Sequence, residues 1–334
     1  MSGQSSLFAQ EIEEVETVLL RQKQIEWPKI RQIAKKLRAQ NPTHAITIAR
    51  GSSDHAALFI GLLISRLGGL AVASLTPSFA SLYHGSLKPN NSVAIAVSQS
   101  GQSPDLLTLL AMVKKSGTSS LAILNEINTP LASIADDVIG LHAAPERAVA
   151  ATKSVMASLS AGLTLTAEWF RDRALADALD DVHQMVSTAL VSQKKCEAIA
   201  NINQCYVIGR GMTLPIAMEA ALKLKETCII HAEAFSSAEI LHGPAALIKE
   251  GFPILAFVPD DEARESLLAT VKRLETLGAR IISFDAADEK ETSHPFLAPV
   301  KLLHNFYRHV EVIARLKGQN PDQPPHLKKV TLTV

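Results

Sequence analysis

The feature that most constrains the fold of this chain is an internal repeat with an offset of about 160 residues. Three short apolar segments recur in the same order at offsets of 160, 161 and 160 residues: 48–53 with 208–213, 93–97 with 254–258, and 121–125 with 281–285. One such match could arise by chance, but three in register indicate two copies of one domain.

Each copy alternates short apolar runs with longer amphipathic segments, which is typical of a parallel sheet covered by helices on both faces. Helical spacing of apolar residues predicts helices over 104–116 and 261–277. The sequence therefore predicts an α/β fold with ten strands, near 44–49, 70–74, 92–97, 120–124 and 137–141 in the first copy and near 205–209, 229–232, 253–258, 280–284 and 299–303 in the second.

The segments outside the two copies predict helices and an extended tail. Residues 5–40 have the spacing of one or two amphipathic helices, and residues 145–195 are predicted to form a long helical bridge between the copies. Three prolines after Gly318 favour an extended tail. The 5–40 segment is too short for a helix-turn-helix domain with its own core, so a DNA-binding regulator is not expected.

Composition excludes several classes of partner. The 33 basic and 33 acidic residues cancel, and the pI is near 7.2, so nothing favours nucleic acid or an anionic membrane. An aromatic content of 4% disfavours stacking on single-stranded nucleic acid. The most apolar stretch, 56–75, is interrupted by Arg66 and Gly68-Gly69, which predicts a buried helix and a strand rather than a membrane span.

The cysteines and the N-terminus indicate the compartment. Cys196, Cys205 and Cys228 are odd in number and match no metal-site spacing, which predicts a reduced protein without disulfides or structural zinc. The first ten residues lack the basic and apolar regions of a signal peptide. We therefore expect a cytoplasmic protein.

The strongest candidate for ligand binding is the serine-rich loop Ser98-Gln-Ser-Gly-Gln-Ser103, which follows a predicted strand and precedes Pro104, a helix-start signal. Hydroxyls and free backbone N–H groups at a helix N-terminus, beyond the carboxyl end of a parallel strand, bind phosphate. Gly51-Ser-Ser-Asp54 is a second turn of this kind. The alternative is a turn that only caps a helix. Neither loop has nucleotide-binding glycine spacing, so no nucleotide is predicted.

A second candidate is a charged helical segment in which Glu219, Lys223 and Glu226 share one face. The alternative interpretation is a solvated stripe of ion pairs. The segments 231–233 and 239–242 follow closely and add histidines and carboxylates that can act as acids and bases, although an isolated His242 is more often structural. No spacing demands a metal, and no nucleophile elbow is present, so a metal site and a hydrolase triad are not predicted.

Together these motifs resemble those of sugar isomerase (SIS) domains, most closely the isomerase half of glucosamine-6-phosphate synthase. The resemblance runs from about residue 30 to the end and is carried by segments 51–53, 98–101, 150–153, 221–226, 231–233, 241–244 and 322–324, with Lys329. It implies two tandem SIS domains, each a flavodoxin-like three-layer α/β/α sandwich with a five-stranded parallel sheet. The implied boundaries are an N-terminal helical segment (1–29), domain 1 (30–180), domain 2 (190–317) and a C-terminal tail over the active site (318–334).

The resemblance also implies residue roles. Glu226 matches the base that moves a proton between sugar carbons 1 and 2, with Glu219 and Lys223 as a supporting charge pair near the substrate. His242 matches the histidine that opens the ring, which in the family reaches into the neighbouring subunit's site, so a homodimer is implied. Lys329 matches the lysine that closes over the open-chain sugar. The implied phosphate site consists of Ser52, Ser53, Ser98, Gln99, Ser100 and Ser103.

Two departures from the synthase matter. The synthase begins with a glutaminase domain and an N-terminal cysteine, whereas this chain starts Met1-Ser2 with about 30 residues before the first SIS domain, so we expect no glutamine hydrolysis. Ala151 stands where the synthase has a serine. Because alanine has no side-chain hydroxyl to contact the sugar, we expect a backbone contact to the substrate at this position.

A double SIS chain of this length resembles the catabolic members of the family. The resemblance implies an SIS-type glucosamine-6-phosphate deaminase, which converts glucosamine 6-phosphate and water to fructose 6-phosphate and ammonia without a metal or organic cofactor. The alternatives are a galactosamine-6-phosphate deaminase, a fructosamine-phosphate deglycase, an aldose–ketose phosphate isomerase and a non-catalytic sugar-phosphate sensor. The joint presence of Glu226, His242 and Lys329 argues against the sensor.

Overall fold

The computed structural model describes residues 5–88, 91–289 and 292–329, and it contains two compact units. The five-strand unit contains Val15–Glu146 and Lys153–Asp180. The four-strand unit contains the described residues up to Glu14, Arg147–Thr152 and the described part of Asp181–Lys329. Each unit is named after its central sheet.

The described residues form nine strands: β1 (His44–Ile48), β2 (Ala71–Ser74), β3 (Ser92–Ser98), β4 (Ser119–Leu124), β5 (Asp137–Gly140), β6 (Gln204–Gly209), β7 (His231–Ser236), β8 (Pro253–Val258) and β9 (Arg280–Asp285). They also form twelve α-helices: α1 (Leu7–Glu13), α2 (Val15–Gln40), α3 (Gly51–Gly68), α4 (Ser78–Ser81), α5 (Pro104–Lys115), α6 (Pro130–Ile134), α7 (Lys153–Phe170), α8 (Arg173–Leu179), α9 (Gln193–Ala200), α10 (Leu214–Cys228), α11 (Arg264–Thr276) and α12 (Ala298–Leu316).

The sheet of the five-strand unit has the order β2-β1-β3-β4-β5, with all neighbours parallel. Every residue of β3 is buried, as expected for a central strand covered on both faces. Helix α7 packs against α2 and α3. The strand order reverses between β1 and β3, and open parallel sheets bind ligands beyond the carboxyl ends of strands at such a point. The five strands predicted for the first copy are confirmed.

The sheet of the four-strand unit has the order β7-β6-β8-β9 and is also parallel. Its core includes an aromatic group in which Phe257, Phe284 and Phe306 contact one another. The strand predicted near 229–232 begins later, at His231, because Ile229 ends α10 in a left-handed conformation with φ of 52°. Four strands predicted for the second copy are therefore present.

The prediction of a fifth strand near 299–303 is wrong, because these residues form the first turns of α12. Pro299 lies in the first turn of this helix, where its missing N–H is tolerated. The apolar run at 299–303 is too short to distinguish a strand from a helix. The helical period becomes apparent only when the buried residues at positions 303, 306, 310 and 313 are considered together. The second sheet consequently has four strands in the described residues rather than the five implied by the resemblance.

The segments outside the sheets agree in part with prediction. Residues 5–40 form α1 and α2, as predicted. The predicted bridge over 145–195 is less continuous than expected, because α7 and α8 are separated at Arg171, which has φ of 58°, and residues 186–192 are not helical. The tail after Gly318 has no helix or strand as far as Lys329, and residues 330–334 lie outside the described residues.

The apolar stretch 56–75 forms the buried part of α3 followed by β2, as predicted. In the described part of the chain, no helix combines the length and hydrophobicity that crossing a bilayer requires. The three cysteines are free and buried. Burial raises the pKa of Cys205 and of Cys228 to about 12, which makes both thiols poor nucleophiles at neutral pH.

Candidate active site

Two serine-containing loops follow neighbouring strands of the five-strand unit. Ser52 and Ser53 lie in the first turn of α3, directly after β1, and the loop 98–103 connects β3 to α5. Because β1 and β3 are adjacent and parallel, both loops emerge at the same edge of the sheet. The structure thus brings together the residues predicted to hold a phosphate within this unit, namely Ser52, Ser53, Ser98, Gln99, Ser100 and Ser103.

The 98–103 loop turns through Gly101, which has φ of 62°. Ser98 is buried, and its Oγ accepts a hydrogen bond from Gly101 N at 3.1 Å. A Cβ at position 101 would collide with the side chain of Thr129, and Gly101 O accepts from Leu131 N at 3.2 Å. The loop is therefore held in one conformation by the segment that follows β4, and glycine is required at its turn.

Ser103 occupies the N-cap position of α5 but makes no side-chain capping bond. Pro104 follows at the first helical position, where no N–H is available or needed. The hydroxyl of Ser103 is therefore not used to cap the helix, which weakens the interpretation of this loop as a capping turn only. A helix N-terminus with its hydroxyl available is suited to bind an anion.

An arginine–aspartate pair that the sequence analysis did not identify links the two loops. Arg50 Nε and Nη2 donate to Asp105 Oδ2 at 3.0 and 2.8 Å, and Asp105 is fully buried. Asp105 Oδ1 also accepts from Leu106 N at 2.8 Å. The available signal was the repeat itself, because Arg210 occupies the same position in the second copy. The pair fixes the start of α5 relative to the end of β1.

The charged residues predicted on one helix face form a compact cluster on α10 of the four-strand unit. Lys223 Nζ lies 2.5 Å from Glu226 Oε2 and 3.3 Å from Glu219 Oε1. The side chains of Lys223 and Glu219 are 0% and 1% exposed, whereas that of Glu226 is 20% exposed. The cluster is therefore not the solvated stripe that the sequence left open.

The electrostatics of the cluster favour charged side chains. Burial by itself lowers the pKa of Lys223, but the carboxylates of Glu219 and Glu226 outweigh this effect, and the pKa is raised. Lys223 is consequently an ammonium at neutral pH. The charge of Lys223 is thus compensated by two neighbouring carboxylate side chains.

Tyr307 is a further member of this cluster that the sequence analysis missed. Its Oη, on α12, donates to Glu219 Oε1 at 3.1 Å. The two residues are 88 positions apart in the sequence. No local signal could have revealed this contact, since it depends on how α12 packs against α10.

The structure does not bring His242 into this cluster. It ends a 3₁₀ helix (Glu239–His242), is exposed, and precedes Gly243, which has φ of 145°. Within the described residues, no hydrogen bond or ion pair involves the His242 side chain. Lys329 is half-buried and is the last described residue of the tail.

The tail is anchored on helix α1 by Asp322. Its Oδ2 and Oδ1 accept from Leu7 N and Phe8 N at 3.0 and 2.8 Å, and its carbonyl accepts from Val149 N at 3.2 Å. These bonds satisfy N–H groups at the start of α1, as a capping carboxylate does. They also bring the tail to the 147–152 segment, in which Ala151 is half-buried. Among the described residues, no three His, Cys, Asp or Glu side chains are arranged to hold a metal ion.

Comparison with known proteins gives a consistent result. The family model of the SIS domain matches residues 37–167 and 198–294. The glutamine–fructose-6-phosphate aminotransferase (isomerizing) of Sulfurisphaera tokodaii is 34% identical over 309 residues, which are 88% of this chain and 51% of that protein. The chain spans about half the length of the first curated relatives that it matches.

Solved structures extend the comparison to the fold. A proposed phosphosugar isomerase from Silicibacter pomeroyi DSS-3 is 34% identical, with a TM-score of 0.88, over 95% of this chain and 100% of that one. The glucosamine-6-phosphate deaminase of Thermotoga maritima is 19% identical, with a TM-score of 0.75, over 98% of this chain and 100% of that one. At 19% identity, the similarity to the Thermotoga maritima structure shows only that the fold is shared.

Proposed function

Because this chain belongs to the SIS domain family, we propose that it is a phosphosugar enzyme that transfers a proton between carbons 1 and 2 of an amino-sugar phosphate. The observation that carries the proposal is the Glu226 carboxylate, which is partly exposed and in contact with a fully buried lysine. An accessible carboxylate held by a buried cation is suited to act as a general base. The names of the relatives, an isomerizing aminotransferase and a proposed phosphosugar isomerase, support this class of reaction.

We propose that the 98–103 loop binds the phosphate group. The conformation fixed by Gly101, the uncapped Ser103 and the N-terminus of α5 support this role. Anchoring the phosphate places the reacting carbons of an open-chain sugar at a defined distance from it, which lowers the entropic barrier to reaction.

In the proposed mechanism, His242 assists ring opening and Lys329 closes over the open-chain sugar. Glu226 takes the proton from carbon 2, which leaves an enolamine, and then delivers the proton to carbon 1. One carboxylate serves both steps because the two carbons are adjacent. The resulting ketimine at carbon 2 adds water and releases ammonia, which leaves fructose 6-phosphate.

The substrate that we propose is glucosamine 6-phosphate, with water as the second reactant. The same proton transfer run in reverse would use ammonia and fructose 6-phosphate, which is the chemistry expected of an aminotransferase half. The curated relatives favour this second candidate, since the chain matches about half the length of enzymes named for that transfer. A fructosamine-phosphate deglycase and an ammonia-independent isomerase would use the same base, but the deglycase releases an amine from the sugar, whereas the isomerase releases nothing.

We further propose that the chain acts as a cytoplasmic homodimer, in which each His242 serves the site of the other subunit. The exposure of His242 and its lack of a bond to any described residue support a role outside its own subunit. A sugar-phosphate sensor would require neither a ring-opening histidine nor a base.

The decisive experiment follows glucosamine 6-phosphate in deuterium oxide, with ammonia and fructose 6-phosphate quantified and carbon-bound deuterium measured by NMR. Equal amounts of both products, with deuterium at carbon 1, support the deaminase. Deuterium exchange into separately supplied fructose 6-phosphate, with no ammonia released from glucosamine 6-phosphate, indicates a plain isomerase, and formation of glucosamine 6-phosphate from fructose 6-phosphate and added ammonium favours the aminotransferase half. Binding without exchange indicates a sensor.

The role of Glu226 is tested by Glu226→Gln, with Glu265→Gln on the exposed face of α11 as the matched control. We expect Glu226→Gln to lower the exchange rate at least about 100-fold, while substrate binding measured by calorimetry persists. The control should retain full activity. If Glu226→Gln exchanges deuterium at a near-normal rate, the assignment of the base is wrong.

A further inference from the structure

A tyrosine that the proposed mechanism does not use touches the charged cluster from a different helix. Tyr307 is fully buried on α12, and its Oη donates to Glu219 Oε1 at 3.1 Å. We propose that Tyr307 is a positioning residue. Its hydroxyl donates a hydrogen bond to Glu219, and the Lys223 ammonium therefore pairs mainly with Glu226. The inference deepens the proposed function and rests on Glu226 being its base.

The distances from Lys223 to its two carboxylate partners differ, and the difference needs a physical cause. Lys223 Nζ lies 2.5 Å from Glu226 Oε2 but 3.3 Å from Glu219 Oε1. Glu219 is the more deeply buried carboxylate, so desolvation alone would draw the ammonium toward it. A buried carboxylate oxygen that already accepts a hydrogen bond from a hydroxyl has less need of a second donor. The Tyr307 hydroxyl supplies that donor.

The position of Tyr307 is itself supported by the N-terminal helix and the tail. The Phe8 ring of α1 contacts the Tyr307 ring edge-on, with centroids 6.5 Å apart. Phe8 N donates to Asp322 at 2.8 Å, so the tail holds the helix that supports the tyrosine. The same tail carries Lys329. The hydroxyl is therefore held by packing on one side and aimed at Glu219 on the other.

The test compares Tyr307→Phe with Tyr206→Phe. Tyr307→Phe removes one hydroxyl and keeps the ring that packs on Phe8. Tyr206 is a buried tyrosine of the same unit whose hydroxyl donates to Pro244 O at 3.2 Å, outside the cluster. The Glu226 carboxyl is titrated by carbon-13 NMR in the full, ligand-free chain, with Glu226→Gln identifying its signal. The pH profile of kcat is measured in parallel.

We expect Tyr307→Phe to move the Glu226 titration midpoint and the acidic limb of kcat upward by about 0.5 to 1 pH unit, because the ammonium shifts toward Glu219. KM should stay unchanged, since the tyrosine is not proposed to touch substrate. Tyr206→Phe should leave both curves in place. A midpoint in Tyr307→Phe equal to that of the wild type, or an equal shift in Tyr206→Phe, overturns the inference.

The titration separates this inference from the proposed function, because it requires no substrate. An inactive wild-type protein would refute the reaction and still report whether Tyr307 acts on Glu226. If Tyr307→Phe does not fold, Phe8→Leu, which removes the ring that packs edge-on against Tyr307, provides the second measurement. Loss of this support should move the Glu226 midpoint upward as well, and a midpoint that stays or falls contradicts the argument.

Discussion

Two lysines of this protein make ion pairs of the same length in different surroundings. Lys223 Nζ lies 2.5 Å from Glu226, and Lys36 Nζ lies 2.5 Å from Asp137. The Lys223 side chain is 0% exposed, whereas those of Lys36 and Asp137 are 65% and 24% exposed. If burial rather than distance decides the stability contribution, replacing each lysine by methionine should have different effects on the free energy of unfolding.

For Lys223→Met we expect a loss of about 3 to 5 kcal/mol, because the fully buried Glu219 is left without its cation. For Lys36→Met we expect about 0 to 1 kcal/mol, because water solvates the aspartate that remains. The pKa of Lys223 is raised above its ordinary 10.5, so the contribution of the ammonium is fully present at neutral pH and is lost only as the pH rises above that value.

Urea unfolding followed by far-ultraviolet circular dichroism measures both variants against the wild type. The Lys223→Met defect should also shrink as the pH falls, because acid neutralises the buried carboxylate of Glu219, which has lost the lysine ammonium in this variant. The reasoning is refuted if the two variants lose equal stability, or if the Lys223→Met defect does not depend on pH between neutrality and about pH 4.

Three further predictions concern acid stability, the phosphate loop and the dimer. Burial lowers the pKa of His304 from 6.5 to about 4, so the folded state should lose up to about 3 kcal/mol as the pH falls through that interval, and urea unfolding of His304→Asn should show a flatter dependence. Gly101→Ala should raise the dissociation constant for inorganic phosphate at least about tenfold, because its Cβ collides with a neighbouring side chain. Gly117→Ala, which has a positive φ but open space, should lose only about 1 kcal/mol of stability and bind phosphate normally. Mixing His242→Ala with Glu226→Gln subunits should restore about a quarter of wild-type activity if the histidine acts across a two-fold interface, and none if it acts within its own subunit.

The sequence alone identified the repeated α/β architecture because that information is local and periodic. Segment 93–97 is a continuous apolar run, and its burial as a central strand follows from the absence of polar residues on either face. The run at 299–303 was misassigned for the same reason: five apolar-rich residues fit either a strand or a helix, and only the residues beyond them carry the helical period.

The charged face of α10 follows from the sequence, but the burial of its side chains does not. The spacing of Glu219, Lys223 and Glu226 predicts one helix face, and the family resemblance points to that helix. Spacing does not tell whether the face meets water or a second helix. The Arg50–Asp105 pair was missed because its partners lie 55 positions apart on different elements.

The sequence by itself therefore determined the two repeated sheets, the serine loops at the strand ends and the charged face of one helix, since each is encoded within a few neighbouring residues. Only the tertiary structure decided that Lys223 is fully buried, that it lies closer to Glu226 than to Glu219, and that Tyr307 satisfies the latter. The strength of a charge interaction depends on the surrounding dielectric and on donors from distant segments, and both arise only when α12 packs against α10.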